Sequence, residues 1–334
     1  IDGGAEPGTD MENIIYVDSI KVHNAIPEIE NATVHNENKS AGLIRIPATH
    51  KTYTTSYANI GSSGDWDGSN DEGPMRSDTW SYMSFGFATK AIHAGAYPEY
   101  VTGARNTPIF QTTSYVFENT KQAESLFKLQ DFGFVYSRLT NPTVSVLEER
   151  LSSLEKSRAA VACSSGHAAQ QLAFAALISN GDHFIASNKL YGGSINQFTK
   201  TFKNFGWDCT LVDPENINNF ENAIRKNTKL IFIETLSNPD GSILDVDSIS
   251  KIAKKYHIPL IVDNTLASPF LHNPIDWGAN IITHSLTKFI CGNGTSMGGI
   301  VIDCGNFNYL LDKKFPSMSQ PNSSYNNIKF SENL

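Results

Sequence analysis

A lysine in the last sixth of the chain is surrounded by residue types that suit covalent chemistry. Lys288 follows Ser285 and Thr287 in the stretch THSLTKF, just downstream of the apolar run ANII. Most lysines are solvated surface charges. An amine whose pKa is lowered from about 10.4 by desolvation and nearby positive charge becomes a nucleophile for a carbonyl group. We therefore consider two interpretations of Lys288, a surface charge and a residue that bonds to a carbonyl.

Other polar residues follow apolar segments in the same way. The run AAVAC leads into SSGHAAQ, where the N–H groups of Gly166 and His167 at a predicted helix start would suit a phosphate. An N-capped helix after a strand is also a common structural feature. Asp263 lies near the end of PLIVDN, and a carboxylate there either caps the next turn or accepts from a protonated ring nitrogen. Asn238 follows KLIFIETLS and places an amide after a third apolar segment.

The elements that must position these residues alternate along the chain. Asn141 and Pro142 are a candidate N-cap and first helical residue, and Val144, Leu147 and Leu151 follow at helical spacing. Buried strands that alternate with helices predict a mostly parallel sheet covered on both faces, with ligands bound beyond the carboxyl ends of its strands. Predicted strands span 159–163, 183–187, 229–235, 259–264 and 279–285, and predicted helices span about 142–155, 166–178, 195–205, 217–226 and 247–256.

Taken together, one edge of this sheet offers a phosphate cradle, an acid, an amide, two hydroxyls and an amine. This combination is what a pyridoxal phosphate site requires. On this interpretation Lys288 is the Schiff-base lysine, and Ser285 and Thr287 bind the phosphate. The histidines at 257, 272 and 284 lack paired metal-ligand spacing, so no metal site is predicted.

Charge and composition limit the functional classes. Residues 1–84 hold 13 acidic and 5 basic residues and carry the whole net charge of −8, so the remainder offers no basic field for nucleic acid. No apolar run approaches the roughly 18 residues of a membrane span. Four dispersed cysteines without a C-x-x-C pair favour a reducing cytoplasm. We expect residues 1–82 to be an acidic, disordered extension that contributes neither to the fold nor to cofactor binding.

From about Phe85 onward the chain resembles the Cys/Met-metabolism family of pyridoxal-phosphate enzymes, which have the aspartate-aminotransferase fold (fold type I). The resemblance covers about 250 of the 334 residues, and its motifs occur in the order and at the spacing found in the family. It implies an arm over 83–140 and a cofactor-binding large domain over 141–334. The motifs that carry it are FATKAIHAGA, PIFQTTSYVF, YSRLTNPT, SSGHAAQ, LYGGSINQF, VDNTLASP and HSLTKF.

The resemblance also implies roles for individual residues. Lys288 would bind the cofactor covalently, Asp263 would keep its pyridine nitrogen protonated, and Tyr191 would stack on the ring and assist proton transfer to the leaving group. Asn238 would contact the ring hydroxyl or the substrate carboxylate. The implied cofactor-binding set is Gly166, His167, Asp263, Thr265, Ser285, Thr287, Asn238, Tyr136 and Arg138.

Two members of that set imply an oligomer. Tyr136 and Arg138 in YSRLTNPT would reach the phosphate of a neighbouring subunit, as in a homotetramer built as a dimer of dimers. Each residue also has a plainer interpretation, since Tyr136 and Tyr191 could be core aromatics and Arg138 could form a surface ion pair.

The function implied is γ-replacement, in which O-acetylhomoserine and sulfide give homocysteine and acetate. A γ-synthase acting with cysteine, or a lyase that breaks a C–S bond, is the alternative within the family. Relatives continue into a small C-terminal domain whose arginine binds the substrate carboxylate, whereas the last arginine here is Arg225. We therefore expect a fragment lacking the small domain, which binds cofactor weakly and turns over slowly. A catalytically inactive cofactor-binding fragment is the alternative of another class.

Overall fold

The structure is a computed structural model, and it covers the greater part of the chain from residue 85 onward. The residues that it describes are 33–35, 43–45, 85–99 and 101–333.

The chain divides into two compact units, residues 1–89 with 94–108, and residues 90–93 with 109–334. In the first unit, β1 (Thr33–His35) pairs antiparallel with β2 (Leu43–Arg45). The predicted disordered extension and the division at residues 83 and 141 stay predictions, because most of residues 1–82 lie outside the described ranges.

The second unit contains a seven-stranded sheet. Its strands are β3 (Ala159–Cys163), β4 (His183–Ser187), β5 (Asp208–Val212), β6 (Thr228–Glu234), β7 (Leu260–Asp263), β8 (Ile281–Ser285) and β9 (Gly299–Asp303). They lie in the order β3-β9-β8-β7-β6-β4-β5. The pairs among β4 to β8 are parallel, and only β9 runs antiparallel to its neighbours β3 and β8. The predicted α/β fold with a mostly parallel sheet is therefore confirmed.

Helices connect these strands. The α-helices are α1 (Phe87–His93), α2 (Thr120–Phe127), α3 (Pro142–Leu154), α4 (Gly166–Leu177), α5 (Gly192–Asn196), α6 (Asn218–Asn222), α7 (Val246–Lys255), α8 (Ser268–Leu271), α9 (Pro316–Ser319) and α10 (Phe330–Asn333). Short 3-10 helices span Phe202–Phe205, Pro274–Trp277, Leu311–Lys313 and Ser323–Tyr325, and a π-helix spans Gln197–Thr201. Within the described ranges, no helix has the length and apolar character needed to cross a membrane.

The three longest helices of the sheet unit begin at side-chain caps. Asn141 accepts from the Thr143 N–H at 2.9 Å and precedes Pro142, as predicted for α3. Ser165 accepts from the Ala168 N–H at 3.1 Å at the start of α4, and Asp245 accepts from the Ser248 N–H at 3.0 Å at the start of α7. These bonds satisfy N–H groups that have no partner inside a helix.

Three segments differ from the predicted elements. The helix predicted over 195–205 is instead α5 followed by a π turn and a 3-10 turn, which end at Gly206 with φ of 72°. Strands β5 and β9 were not predicted. Strand β5 forms an edge of the sheet and its residues are mostly half-buried, so the sequence DCTLV lacks the continuous apolar run that marks a fully buried strand.

The core lies on both faces of the sheet. Along β6, Leu230 and Phe232 belong to one apolar cluster, and Ile231 and Ile233 belong to the other. Side chains alternate between the faces of a strand, so the two clusters lie on opposite faces. This packing holds the strand ends that carry the predicted site residues.

Candidate active site

A cavity of about 230 Å³ lies where strands β3, β6, β7 and β8 end. Its walls come from the residues that close these strands or follow them directly, which is where ligands bind in open α/β sheets. The predicted site residues that line it are Gly166, His167, Tyr191, Asn238, Asp263, Thr265, Ser285, Thr287 and Lys288.

The turn between β3 and α4 packs directly on the end of β8. A Cβ added to Gly166 would lie 2.8 Å from Ser285 Cβ and 3.1 Å from Ser285 Cα. The Ser285 N–H in turn donates to Thr265 Oγ1 at 2.8 Å. The start of the twelve-residue helix α4 therefore meets two hydroxyl residues, which is a suitable environment for an anion.

Replacing Gly166 with alanine is expected to weaken the binding of pyridoxal phosphate about tenfold, because the new methyl group pushes the end of β8 away from α4. The measurement is a titration of the purified chain with pyridoxal phosphate, followed by absorbance. Gly86→Ala is the matched control, since a Cβ at Gly86 meets nothing within 4 Å. An affinity of Gly166→Ala equal to that of the control would contradict the expected close packing.

Asp263 is held by three donors. Its Oδ2 accepts from Thr283 Oγ1 at 3.1 Å and from Gln170 Nε2 at 3.3 Å, and its Oδ1 accepts from the Thr265 N–H at 3.0 Å. Only 7 % of the residue is exposed. A buried carboxylate with this many donors keeps a fixed orientation, which is what binding a protonated ring nitrogen would need.

Tyr191 and His167 form a stacked pair at the opening of the cavity. Their ring centroids lie 5.7 Å apart with an interplanar angle of 29°. A Cβ at Gly193 would lie 2.5 Å from Tyr191 Cε1 and 2.7 Å from His167 Cε1, so a side chain at this position would displace one of the two rings. Tyr191 is half exposed and is therefore not a core aromatic residue.

Lys288 lies in the turn after β8 and lines the cavity. Ile281 and Ile282 of the preceding strand are buried, whereas Lys288 is exposed. The apolar run thus packs in the sheet and not against the amine. Leu286 still packs in the core, but Lys288 two residues later is exposed, so the apolar run does not bury the amine.

Tyr136 and Arg138 do not line this cavity. Tyr136 is 41 % exposed, and the guanidinium carbon of Arg138 lies 5.4 Å from the centroid of its ring. Their predicted contact with the phosphate of a neighbouring subunit stays a prediction.

The cavity-wall residues that were not predicted include Glu234 and Gln170. Glu234 is the last residue of β6, so the argument that identified Asp263 at the end of β7 applies to it equally. Gln170 lies one helical turn after Gly166 and is 3 % exposed, and its Nε2 also donates to Ser194 Oγ at 3.0 Å. Gln170 closes the motif SSGHAAQ, but no role was predicted for it.

Glu234 has an unusual ionisation. Burial, and to a lesser degree the charge of Asp263, raise the pKa of Glu234 to about 8. Hydrogen bonds from the main-chain N–H groups of Tyr191 and Asn238 act in the opposite direction. The two adjacent strand ends therefore place a protonated carboxyl beside Asp263 at neutral pH.

The residues present fit pyridoxal phosphate. Gly166 and its neighbours form a cradle that a side chain at that position would fill, and Asp263 is already fixed by three donors. Among the described residues, Oε1 of the buried Gln170 has no hydrogen-bond partner, as expected at the wall of a ligand site. Lys288 supplies the amine of the same cavity.

Comparison with known proteins agrees with this arrangement. Residues 88–329 match the family of Cys/Met metabolism PLP-dependent enzymes. The O-acetyl-L-homoserine sulfhydrylase of Leptospira meyeri is 45 % identical over 244 residues, which are 73 % of this chain and 55 % of the relative. The homocysteine/cysteine synthase of Saccharomyces cerevisiae is 44 % identical over 250 residues, which are 74 % of this chain and 56 % of the relative.

A solved structure shows the same similarity. A Campylobacter jejuni protein assigned as an O-acetylhomoserine (thiol)-lyase superposes with a TM-score of 0.72 at 39 % identity, covering 75 % of this chain and 62 % of that one. That structure contains pyridoxyl-lysine monophosphate. The chain therefore spans about three fifths or less of the length of the relatives that it matches.

Proposed function

The chain belongs to the family of Cys/Met metabolism PLP-dependent enzymes, and we propose that it converts O-acetylhomoserine and sulfide to homocysteine and acetate. The observation that carries this proposal is the cavity, where the ends of four strands bring together Asp263, Lys288 and the Gly166–Ser285 contact. The names of the relatives support the choice of substrate within the family.

Bound pyridoxal phosphate would supply an electron sink for bond breaking next to the substrate amine. The main-chain N–H groups of Gly166 and His167 and the hydroxyls of Ser285 and Thr287 would hold its phosphate. Asp263, kept in place by Gln170, Thr283 and Thr265, would hold the proton on the ring nitrogen. These contacts would fix the cofactor across the cavity.

Proton movement would be carried by two side chains. The amine of Lys288 would take a proton from the α-carbon of the substrate, next to the amino group. It would then take a proton from the β-carbon. Tyr191 would lie over the ring and deliver a proton to the leaving acetate. The half-exposed position of Tyr191 and the exposure of Lys288 support this, because both side chains can reach a substrate that enters from solvent.

We further propose a homo-oligomer, a dimer of dimers, in which Tyr136 and Arg138 complete the site of a neighbouring subunit. The exposed apolar side chain of Leu139, next to Arg138, supports a contact surface there, since it is 66 % exposed. The cytoplasm is the proposed location, because the cysteines at 163, 209, 291 and 304 are all free thiols.

The test is product analysis of the purified chain with O-acetylhomoserine and either sulfide or cysteine as the acceptor. Homocysteine formed from sulfide supports the proposal. Cystathionine formed from cysteine, without a reaction with sulfide, would favour the γ-synthase alternative. Absence of any absorbance change on adding pyridoxal phosphate would contradict both.

A further inference from the structure

The carboxyl of Glu234 lies at the junction of two loops that carry proposed site residues. Its Oε1 accepts from the Tyr191 N–H at 2.8 Å, and its carboxyl also accepts from the N–H of Asn238. Tyr191 ends the loop between β4 and α5, as the N-cap residue of α5, and Asn238 lies in the loop after β6. Only 6 % of Glu234 is exposed, so water cannot replace these two bonds at low cost.

We propose that Glu234 is a positioning residue, which fixes Tyr191 and Asn238 at the edge of the cavity through their main-chain N–H groups. This inference deepens the proposed function and rests on it for the roles of Tyr191 and Asn238. Glu234 acts through these residues, so it need not touch the reacting atoms.

The protonation state of Glu234 affects the stability of this junction, because burial and the charge of Asp263 favour the protonated form. The ionisable groups that line the same cavity are Asp263 on β7, Lys288 after β8, His167 on α4 and Tyr191. Asp263 is the register partner of Glu234 on the adjacent strand. Two ionised carboxylates at this junction repel each other, so the arrangement is most stable while Glu234 carries its proton.

The pH dependence follows from the pKa of about 8, which is raised from the ordinary value of 4.5. The folded protein binds this proton more tightly than the unfolded chain does. The stabilisation is therefore complete below about pH 4.5, falls as the pH rises, and is lost once the pH passes about 8. Glu234→Gln imitates the protonated form, keeps an acceptor oxygen for the N–H groups, and removes this dependence.

Hydrogen–deuterium exchange of the cofactor-free chain is the direct test. Glu234→Ala is expected to increase exchange about tenfold at the amides of Tyr191 and Asn238, whereas Glu234→Gln retains protection. In wild type this protection declines as the pH rises from about 4.5 to about 8, and in Glu234→Gln it does not. Glu124→Gln is the matched control, because Glu124 is exposed and forms an exposed ion pair with Lys128, four residues later.

Cofactor affinity provides the second measurement, by titration with pyridoxal phosphate. We expect Glu234→Ala to bind about tenfold more weakly than wild type, and Glu234→Gln to restore the affinity at neutral pH. Unchanged exchange at both amides in Glu234→Ala would overturn the inference. If that variant unfolds, an identical pH profile of wild type and Glu234→Gln would overturn it instead.

The two readouts separate this inference from the proposed function. A wild-type chain that does not bind pyridoxal phosphate would contradict the proposed function, while amide exchange would still decide the role of Glu234. A wild-type chain that binds the cofactor, together with a Glu234→Ala variant that binds equally well and exchanges normally, would overturn only the inference.

Discussion

Replacing Lys288 with alanine is expected to abolish the borohydride-reducible adduct between the protein and pyridoxal phosphate. Lys288 is the only lysine among the residues that line the cavity, and it is exposed toward the space that the cofactor would occupy. The amine of Lys288 is the nucleophile for the cofactor's carbonyl group, and the methyl side chain of alanine has no nucleophilic atom. The measurement is mass spectrometry of peptides after incubation with the cofactor and reduction with borohydride.

Lys128→Ala is the control for this experiment. Lys128 is also exposed, and it pairs with Glu124 away from the cavity. The control should carry the adduct at Lys288 in the same yield as wild type. An undiminished adduct in the Lys288→Ala variant would show that another lysine bonds to the cofactor, and the assignment of Lys288 would then be wrong.

The largest effect on stability is expected from Glu155, which lies directly after α3 and is fully buried. Its Oε1 binds His284 Nε2 at 2.7 Å and accepts from Asn264 Nδ2 at 2.9 Å, and its Oε2 accepts from Asn273 Nδ2 at 3.1 Å. His284 is fully buried too. Removing one member of such a network leaves the other polar groups buried and unpaired, which is costly in a low-dielectric core.

Glu155→Ala is therefore expected to lower the free energy of unfolding by about 3 kcal/mol, and the thermal midpoint by roughly 6–12 °C. Asn264 follows Asp263 and His284 precedes Ser285, so the network also fixes the ends of β7 and β8. A weaker affinity for pyridoxal phosphate should accompany the loss of stability.

Thermal unfolding of the cofactor-free chain measures the first effect, and cofactor titration measures the second. Glu124→Ala is the matched control, because its ion pair with Lys128 is solvent-exposed and contributes little. A midpoint for Glu155→Ala within about 2 °C of the control would mean that the buried network contributes little, since exposed substitutions have effects of this size.

The sequence by itself determined five of the seven strands of the sheet and most of the cavity wall. Apolar strands that alternate with capped helices leave few arrangements besides a mostly parallel sheet, and the carboxyl ends of parallel strands meet at one edge. Asp263, Ser285 and Lys288 could therefore be placed together before any contact was known. Glu234 obeys the same rule and could have been identified from its position at the end of KLIFIE.

Contacts between distant segments could not be determined in this way. Gln170 and Asp263 are 93 residues apart, and Glu155 and His284 are 129 residues apart. Neither the helical spacing around Gln170 nor the end of α3 at Glu155 indicates which strand will pack there. Such pairs exist only because the helices cover the sheet at a particular position.

Burial and ionisation were likewise decided by the tertiary structure. The sequence places Lys288 after an apolar run, but the fold keeps that run in the sheet and leaves the lysine exposed. It places Glu234 at a strand end, but the pKa of about 8 arises from burial and from Asp263 on the adjacent strand. Desolvation and the distance between two charges depend on packing, so residue type and spacing alone cannot determine them.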